Sequence, residues 1–129
     1  MKDKQQSTAA MIDPAIAAPS TLTWSKHNAI GKENDDNHRP HPRSCHTMTV
    51  VGTNAFLFGG MTNYGTDEFD DVTSIRASNE IFRVTLSGKT DIEFLKLNPT
   101  GALPLPRWRH SATLFDNNQI LVFGGFHTT

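Results

Sequence analysis

One segment of this chain occurs twice. Residues 42–61 read PRSCHTMTVVGTNAFLFGGM, and residues 106–126 read PRWRHSATLFDNNQILVFGGF. Pro42-Arg43-x-x-His46 returns as Pro106-Arg107-x-x-His110, sixty-four residues on. Gly59-Gly60 returns as Gly124-Gly125, with one residue of drift. The approach to each copy matches too: Trp24, Gly31 and Pro40 correspond to Phe94, Gly101 and Pro104. Such self-similarity outranks any single motif, because it implies a fold made by stacking one repeated supersecondary unit.

The unit reads as strands. CHTMTVV and AFLFGG flank Gly52-Thr53-Asn54; HSATLF and QILVFGG flank Asp116-Asn117-Asn118; NEIFRVTL and DIEFLKL flank a turn at Ser87-Gly88-Lys89. Each run alternates or stays apolar over five to eight residues and favours β-branched and aromatic types, the signature of strands rather than helices. No stretch carries a helical period, so the expected class is all-β. Residues 1–20 are small, polar and broken by proline, and a disordered tail is expected there. TLTWSK at 21–26 adds one further strand.

In order, these parts resemble the kelch repeat: RSCHTMTV as the Arg-x-x-His strand, AFLFGG as the double-glycine strand, NEIFRVTL as the third and DIEFLKL as the fourth. The resemblance covers residues 21–129. Phe94 stands where the family places a tryptophan, Trp24 holds that place in the partial copy, and the interval of sixty-four residues exceeds the usual spacing of about 50. The resemblance implies that each unit is one four-stranded blade of a β-propeller. Residues 45–97 then supply one complete blade, 110–125 the first two strands of another, and TLTWSK a last strand of a third. That is too few for a ring, and roughly three or more such repeats are needed for stability. The chain is therefore expected to be a partial propeller, a piece of a longer one, with the missing blades supplied by the rest of a longer polypeptide or by another copy.

The motif residues themselves, Trp24, Arg43, His46, Gly59, Gly60, Arg107, His110, Gly124 and Gly125, read as structural. Neither glycine pair is followed by Lys-Ser/Thr, so a phosphate loop is not expected. A repeated Arg–His pair suits a packing device in every blade better than a catalytic dyad. His38, His41, Cys45 and His46 lack zinc-finger spacing, and 66–71 lacks the glycine and closing glutamate of an EF-hand. Kelch-built oxidases use copper with a tyrosine–cysteine crosslink, which one Tyr (Tyr64) and one distant Cys (Cys45) do not support. No metal or cofactor is expected, and no enzyme activity.

Net charge is −1 over 129 residues, so there is no electrostatic footprint for nucleic acid or an anionic membrane. No run approaches the ~18 apolar residues that cross a bilayer. A single cysteine forms no internal disulfide and fits the cytosol.

In an up-and-down blade, alternate loops emerge on the same face. The long connections, 27–42, 61–78 and 98–109, share one face, and the turn-length ones share the other. Insertions gathered on one face mark a binding face. It offers Tyr64, Phe69, Trp108 and Arg109 beside Asp67, Glu68, Asp70 and Asp71, residue types suited to a protein partner. Two functions stay open: a non-catalytic interaction or scaffold module, and an accessory region of a larger enzyme such as a kelch-bearing serine/threonine phosphatase or carboxyl methyltransferase.

Overall fold

The computed structural model describes residues 9–13, 23–30, 39–63, 75–87 and 91–127. All regular elements in them are strands: β1 (Ala9–Asp13), β2 (Thr23–Ile30), β3 (Arg43–Ser44), β4 (Thr47–Val51), β5 (Asn54–Phe58), β6 (Met61–Asn63), β7 (Ile75–Ala77), β8 (Ile81–Ser87), β9 (Asp91–Leu97), β10 (Arg107–Trp108), β11 (Ser111–Phe115), β12 (Gln119–Phe123) and β13 (Phe126–His127).

β4, β5, β8 and β9 form an antiparallel meander, the complete blade. β11 and β12 form the separate hairpin that begins the next. Alternation along β5, β8 and β9 sends Leu57, Phe82, Val84, Ile92 and Phe94 to one face, where they make the core, with Ala29 and Ala55 packed against it. Each such side chain removed from water contributes ~1.5–3 kcal/mol. The opposite face carries Phe56, Phe58, Ile81 and Leu97 and looks onto Ile120 and Val122 of the second hairpin across a cavity of about 410 Å³.

The one-residue drift between repeats is absorbed at the hairpin tips. Val51 pairs with Asn54 across two residues, with Gly52 at φ 60°, whereas Phe115 pairs with Gln119 across three, with Asp116 and Asn117 at φ 49° and 62°. Both tips turn through positive φ, one with glycine and one with the Asp and Asn that tolerate it best.

Two expectations need correction. β2, read as the last strand of a preceding blade, instead pairs in parallel with β9, Asn28 opposite Asp91 and Ile30 opposite Glu93. Residues 9–13, inside the segment expected to be disordered, form β1 and pair with β2 from Ala9–His27 to Asp13–Thr23. The result is one six-stranded sheet, β1-β2-β9-β8-β5-β4. An open strand edge attracts whatever strand is within reach; the edge of β9 takes β2, and β2 takes β1.

The long connections also hold more order than loops. β6 and β7 pair antiparallel and β3 joins them, Arg43 opposite Thr62; in the second repeat β10 pairs with β13, Arg107 opposite His127. These short ribbons sit at the end of the blade where β4 starts and β5 finishes.

A repeat junction and an exposed cation–aromatic stack

Each Arg-x-x-His start is fixed by its arginine. Arg43 donates from Nε to the His41 carbonyl (3.2 Å) and from Nη1 to the Gly59 carbonyl (3.1 Å); Arg107 does the same to Leu105 (3.2 Å) and Gly124 (3.1 Å). Arg43 has more. Its Nη2 lies 2.8 Å from Glu80 Oε2, its Cζ lies 5.3 Å from the centre of the Phe82 ring, and its side chain is 3% exposed. Glu80 also accepts from Lys96 Nζ (2.8 Å) and from Ser78 Oγ (3.2 Å). Burial pushes the Glu80 carboxyl up, but the hydrogen bonds and charges of Lys96 and Arg43 outweigh it and hold the pKa at about 2. A buried guanidinium is tolerated only when paired in this way.

The two repeats meet through backbone hydrogen bonds and a histidine, and Asn79 Nδ2 donates to the Pro104 carbonyl (3.4 Å) ahead of the second repeat. Gly60 N–H donates to Arg107 O (2.9 Å), Arg107 N–H to Ser78 O (3.0 Å), Ser78 N–H to Gly60 O (2.8 Å) and Arg109 N–H to Cys45 O (3.1 Å). His110, 7% exposed, packs edge-on against Phe58 at 5.0 Å, with Nε2 2.8 Å from Thr47 Oγ1. Burial lowers its pKa, the charges of Arg107 and His46 add to that, and the Phe58 carbonyl opposes them. Burial, with Arg43 beside it, likewise lowers the pKa of His46.

The glycines make this approach possible. A Cβ on Gly59 would stand 2.8 Å from both Arg107 O and His110 Cε1; one on Gly60 would stand 2.7 Å from Ser44 O and 2.9 Å from His46 Cβ. Both residues also have positive φ, 67° and 94°, which glycine alone takes freely.

Among the partner-binding candidates, Trp108 and Arg109 come together. The Arg109 guanidinium lies over the Trp108 ring, Cζ 5.0 Å from its centre, and Trp108 stacks on Phe126 at 5.0 Å. Arg109 is exposed, as is Phe126 at 59%, and Arg109 holds the left-handed region at φ 54°. Cys45, its counterpart in the first repeat, does so at φ 57°. Tyr64, Asp67, Glu68, Phe69, Asp70 and Asp71 lie outside the described residues, and Trp24 is placed by its backbone alone, on β2. Ser78, Glu80, Lys96 and Phe126 escaped the sequence reading. Only the Asn-Glu-aromatic run at 79–82 hinted at Glu80.

No family model matches the chain. Curated proteins do. The Rho GTPase-activating protein gacHH of Dictyostelium discoideum is 31% identical over 120 residues, 90% of this chain and 7% of that protein. Host cell factor homolog hcf-1 of Caenorhabditis elegans is 28% identical over 109 residues, 81% of this chain and 14% of that protein. Kelch domain-containing protein 2 of Bos taurus is 29% identical over 113 residues, 88% of this chain and 23% of that protein. Over most of its length the chain is similar to kelch-repeat proteins. Its kelch repeats span less than a quarter of the length of each of these relatives. It holds one complete blade, and the second Arg-x-x-His hairpin docks on that blade as the repeat requires.

Proposed function

We propose that this chain is a non-catalytic protein-recognition module, one piece of a longer propeller polypeptide. The observation that carries the recognition role is the Arg109–Trp108–Phe126 stack. An exposed guanidinium held over an indole is positioned to present its donors to a partner, and Arg and Trp are the types that dominate interface energies. The strand registers support a common face: Phe58, Ile81 and Leu97 end level with one another, so the connections at 59–80 and 98–110 share one end with the stack.

The piece reading is supported by the two repeats' unequal burial. Phe58 is 6% exposed against its neighbour hairpin, while its counterpart Phe123 is 76% exposed. Further blades cover the equivalent surface in a propeller. The single cysteine, Cys45, suits the cytosol as the working compartment.

The test is affinity capture with the chain as bait, followed by direct binding of the partner identified. Arg109→Ala and Trp108→Ala are expected to weaken binding at least tenfold with the circular dichroism unchanged. Asp70→Lys with Asp71→Lys tests whether the acidic stretch contributes a basic-partner preference. Unaltered affinity in all of these variants removes the recognition reading.

A further inference from the structure

The two repeats share a scaffold but not everything mounted on it. Arg43 and Arg107, His46 and His110, and the two glycine pairs hold the same places in both copies. Around the second Arg-x-x-His start, Leu103, Leu105, Trp108, Arg109 and Phe126 stand where the first repeat has Arg39, His41, Ser44, Cys45 and Met61. Four of these five changes place an apolar or aromatic side chain, and the fifth places a guanidinium. A residue that braces every blade has to recur; one that meets a partner has to occur only once.

The strand register assembles them. Trp108 lies opposite Phe126 across the β10–β13 pair, so the two side chains share one face of that ribbon, and their rings meet at 5.0 Å with the planes tilted by 31°. Arg109 follows directly, its Cζ 5.0 Å from the centre of the Trp108 ring. Leu103 and Leu105, 44% and 58% exposed, lie on the connection leading into the ribbon. Arg107 is tied to the Leu105 and Gly124 carbonyls, whereas no hydrogen bond or ion pair among the described residues engages the Arg109 guanidinium. A neighbour on either side leaves this position open. Arg109 is exposed with the preceding blade in place, its N–H bonded to Cys45 O (3.1 Å), and Ser44 and Cys45, at the matching places, are exposed with a following hairpin in place.

Charge around the patch has one sign. His127 is exposed on β13, and Arg76 is exposed on β7, whose ribbon is joined to β10 by the Arg107–Ser78 backbone bond (3.0 Å). Glu80, on the connection from β7 to β8, is already held by Arg43 and Lys96. A carboxylate arriving here meets cations, and a cation meets no open carboxylate among the described residues.

We propose that this patch takes an acidic segment of a protein partner, an Asp or Glu flanked by bulky aliphatic or aromatic residues; this narrows the recognition role and rests on it. The carboxylate meets the open edge of the Arg109 guanidinium, a planar fork that matches it with two parallel hydrogen bonds. The flanking side chains cover Trp108, Phe126 and Leu105. Excluding water strengthens the ion pair, so charge and apolar cover act together. An acid left open to water gains little from an exposed arginine.

Fluorescence anisotropy of the full chain with short labelled peptides tests this. A Gly-Ser peptide with a central Leu-Glu-Phe is expected to bind. Replacing its Glu by Gln or Lys, or its Leu and Phe by Gly, is expected to weaken binding at least about tenfold. Arg109→Glu is expected to reverse the charge preference, so that the Lys peptide binds better than the Glu peptide. Arg109→Gln is expected to make the Glu and Gln peptides equivalent, and Trp108→Ala to erase the advantage of the apolar flanks, all with unchanged circular dichroism. A Leu-Glu-Phe peptide that does not bind overturns the proposal, as does a Gln peptide that binds equally well or a charge preference that Arg109→Glu leaves in place. A captured partner that needs Trp108 and Arg109 but meets them with a neutral or basic segment defeats this inference and leaves the recognition role standing. A partner indifferent to both residues defeats the recognition role itself.

Discussion

His110 reaches back sixty-three residues to Thr47, placing its Nε2 2.8 Å from the hydroxyl oxygen. This part-buried side-chain hydrogen bond links the complete blade to the second hairpin, with the Phe58 ring edge-on to the imidazole and no room for a Cβ at Gly59. Coupling between the repeats therefore concentrates at one imidazole and the backbone bonds around it.

That bond is measurable as an interaction energy. Thr47→Val, His110→Ala and the double variant, unfolded in urea, are expected to give a coupling of about 1 kcal/mol, the usual net worth of a buried hydrogen bond. Strict additivity of the two single effects contradicts the contact.

Acid weakens the junction. The folded pKa of His110 lies below its ordinary value of 6.5, through burial first and then Arg107 and His46, so the unfolded chain takes up its proton first. Stability is then fully present above 6.5 and falls as pH drops from there toward the folded pKa. His46 acts in the same direction. Urea midpoints between pH 7.5 and 5 should decline, less steeply in His110→Gln; an identical slope in that variant argues against His110 as the titrating group.

The glycine positions separate close approach from backbone strain. Gly60→Ala is expected to cost several kcal/mol, since its methyl would stand 2.7 Å from Ser44 O. At Gly124, where the space is open, only the left-handed conformation is penalised, by ~1–2 kcal/mol. Thermal midpoints decide it; equal losses at the two sites refute the crowding at Gly60.

Arg43 and Arg107 should not be equivalent. Arg43→Ala leaves Glu80 without one of its two cations and exposes the face of Phe82, a loss of ~3–5 kcal/mol typical of a broken buried pair, and Arg43→Lys cannot restore the forked geometry. Arg107→Ala removes bonds that are solvent-exposed and is expected to cost under half as much. Because Glu80 is held at about 2, its contribution is present above pH 4.5 and is lost as pH falls through 2; Glu80→Gln should flatten that part of the stability profile.

The sequence made the hairpins legible because positive-φ turns and double glycines leave marks that survive in isolation. The all-β class, the complete blade and the second docked hairpin all follow from those marks. Glu80 was marked only by the Asn-Glu-aromatic run at 79–82, and its ion pairs were not legible, since only the fold brings Arg43 and Lys96 to the same carboxylate. Cys45 and Arg109 gave no hint of left-handed backbone, since neither type favours it. The docking of β2 onto β9, and of β1 onto β2, depends on an edge left open by tertiary structure, which strand propensity does not report. Trp108 and Arg109 were legible as exposed types, but the stacking on Phe126 was not.

The unequal hairpin tips, two residues in one repeat and three in the other, have a consequence for how such units diverge. A residue gained or lost there is accommodated before it reaches His110 or Gly125, so the mating surfaces stay where they were. Codon insertions should therefore be tolerated at positions 52–53 and 116–118 and purged a few positions away. In a chain assembled by duplication, the tips are where history accumulates, and the histidine and the glycines are where it is erased.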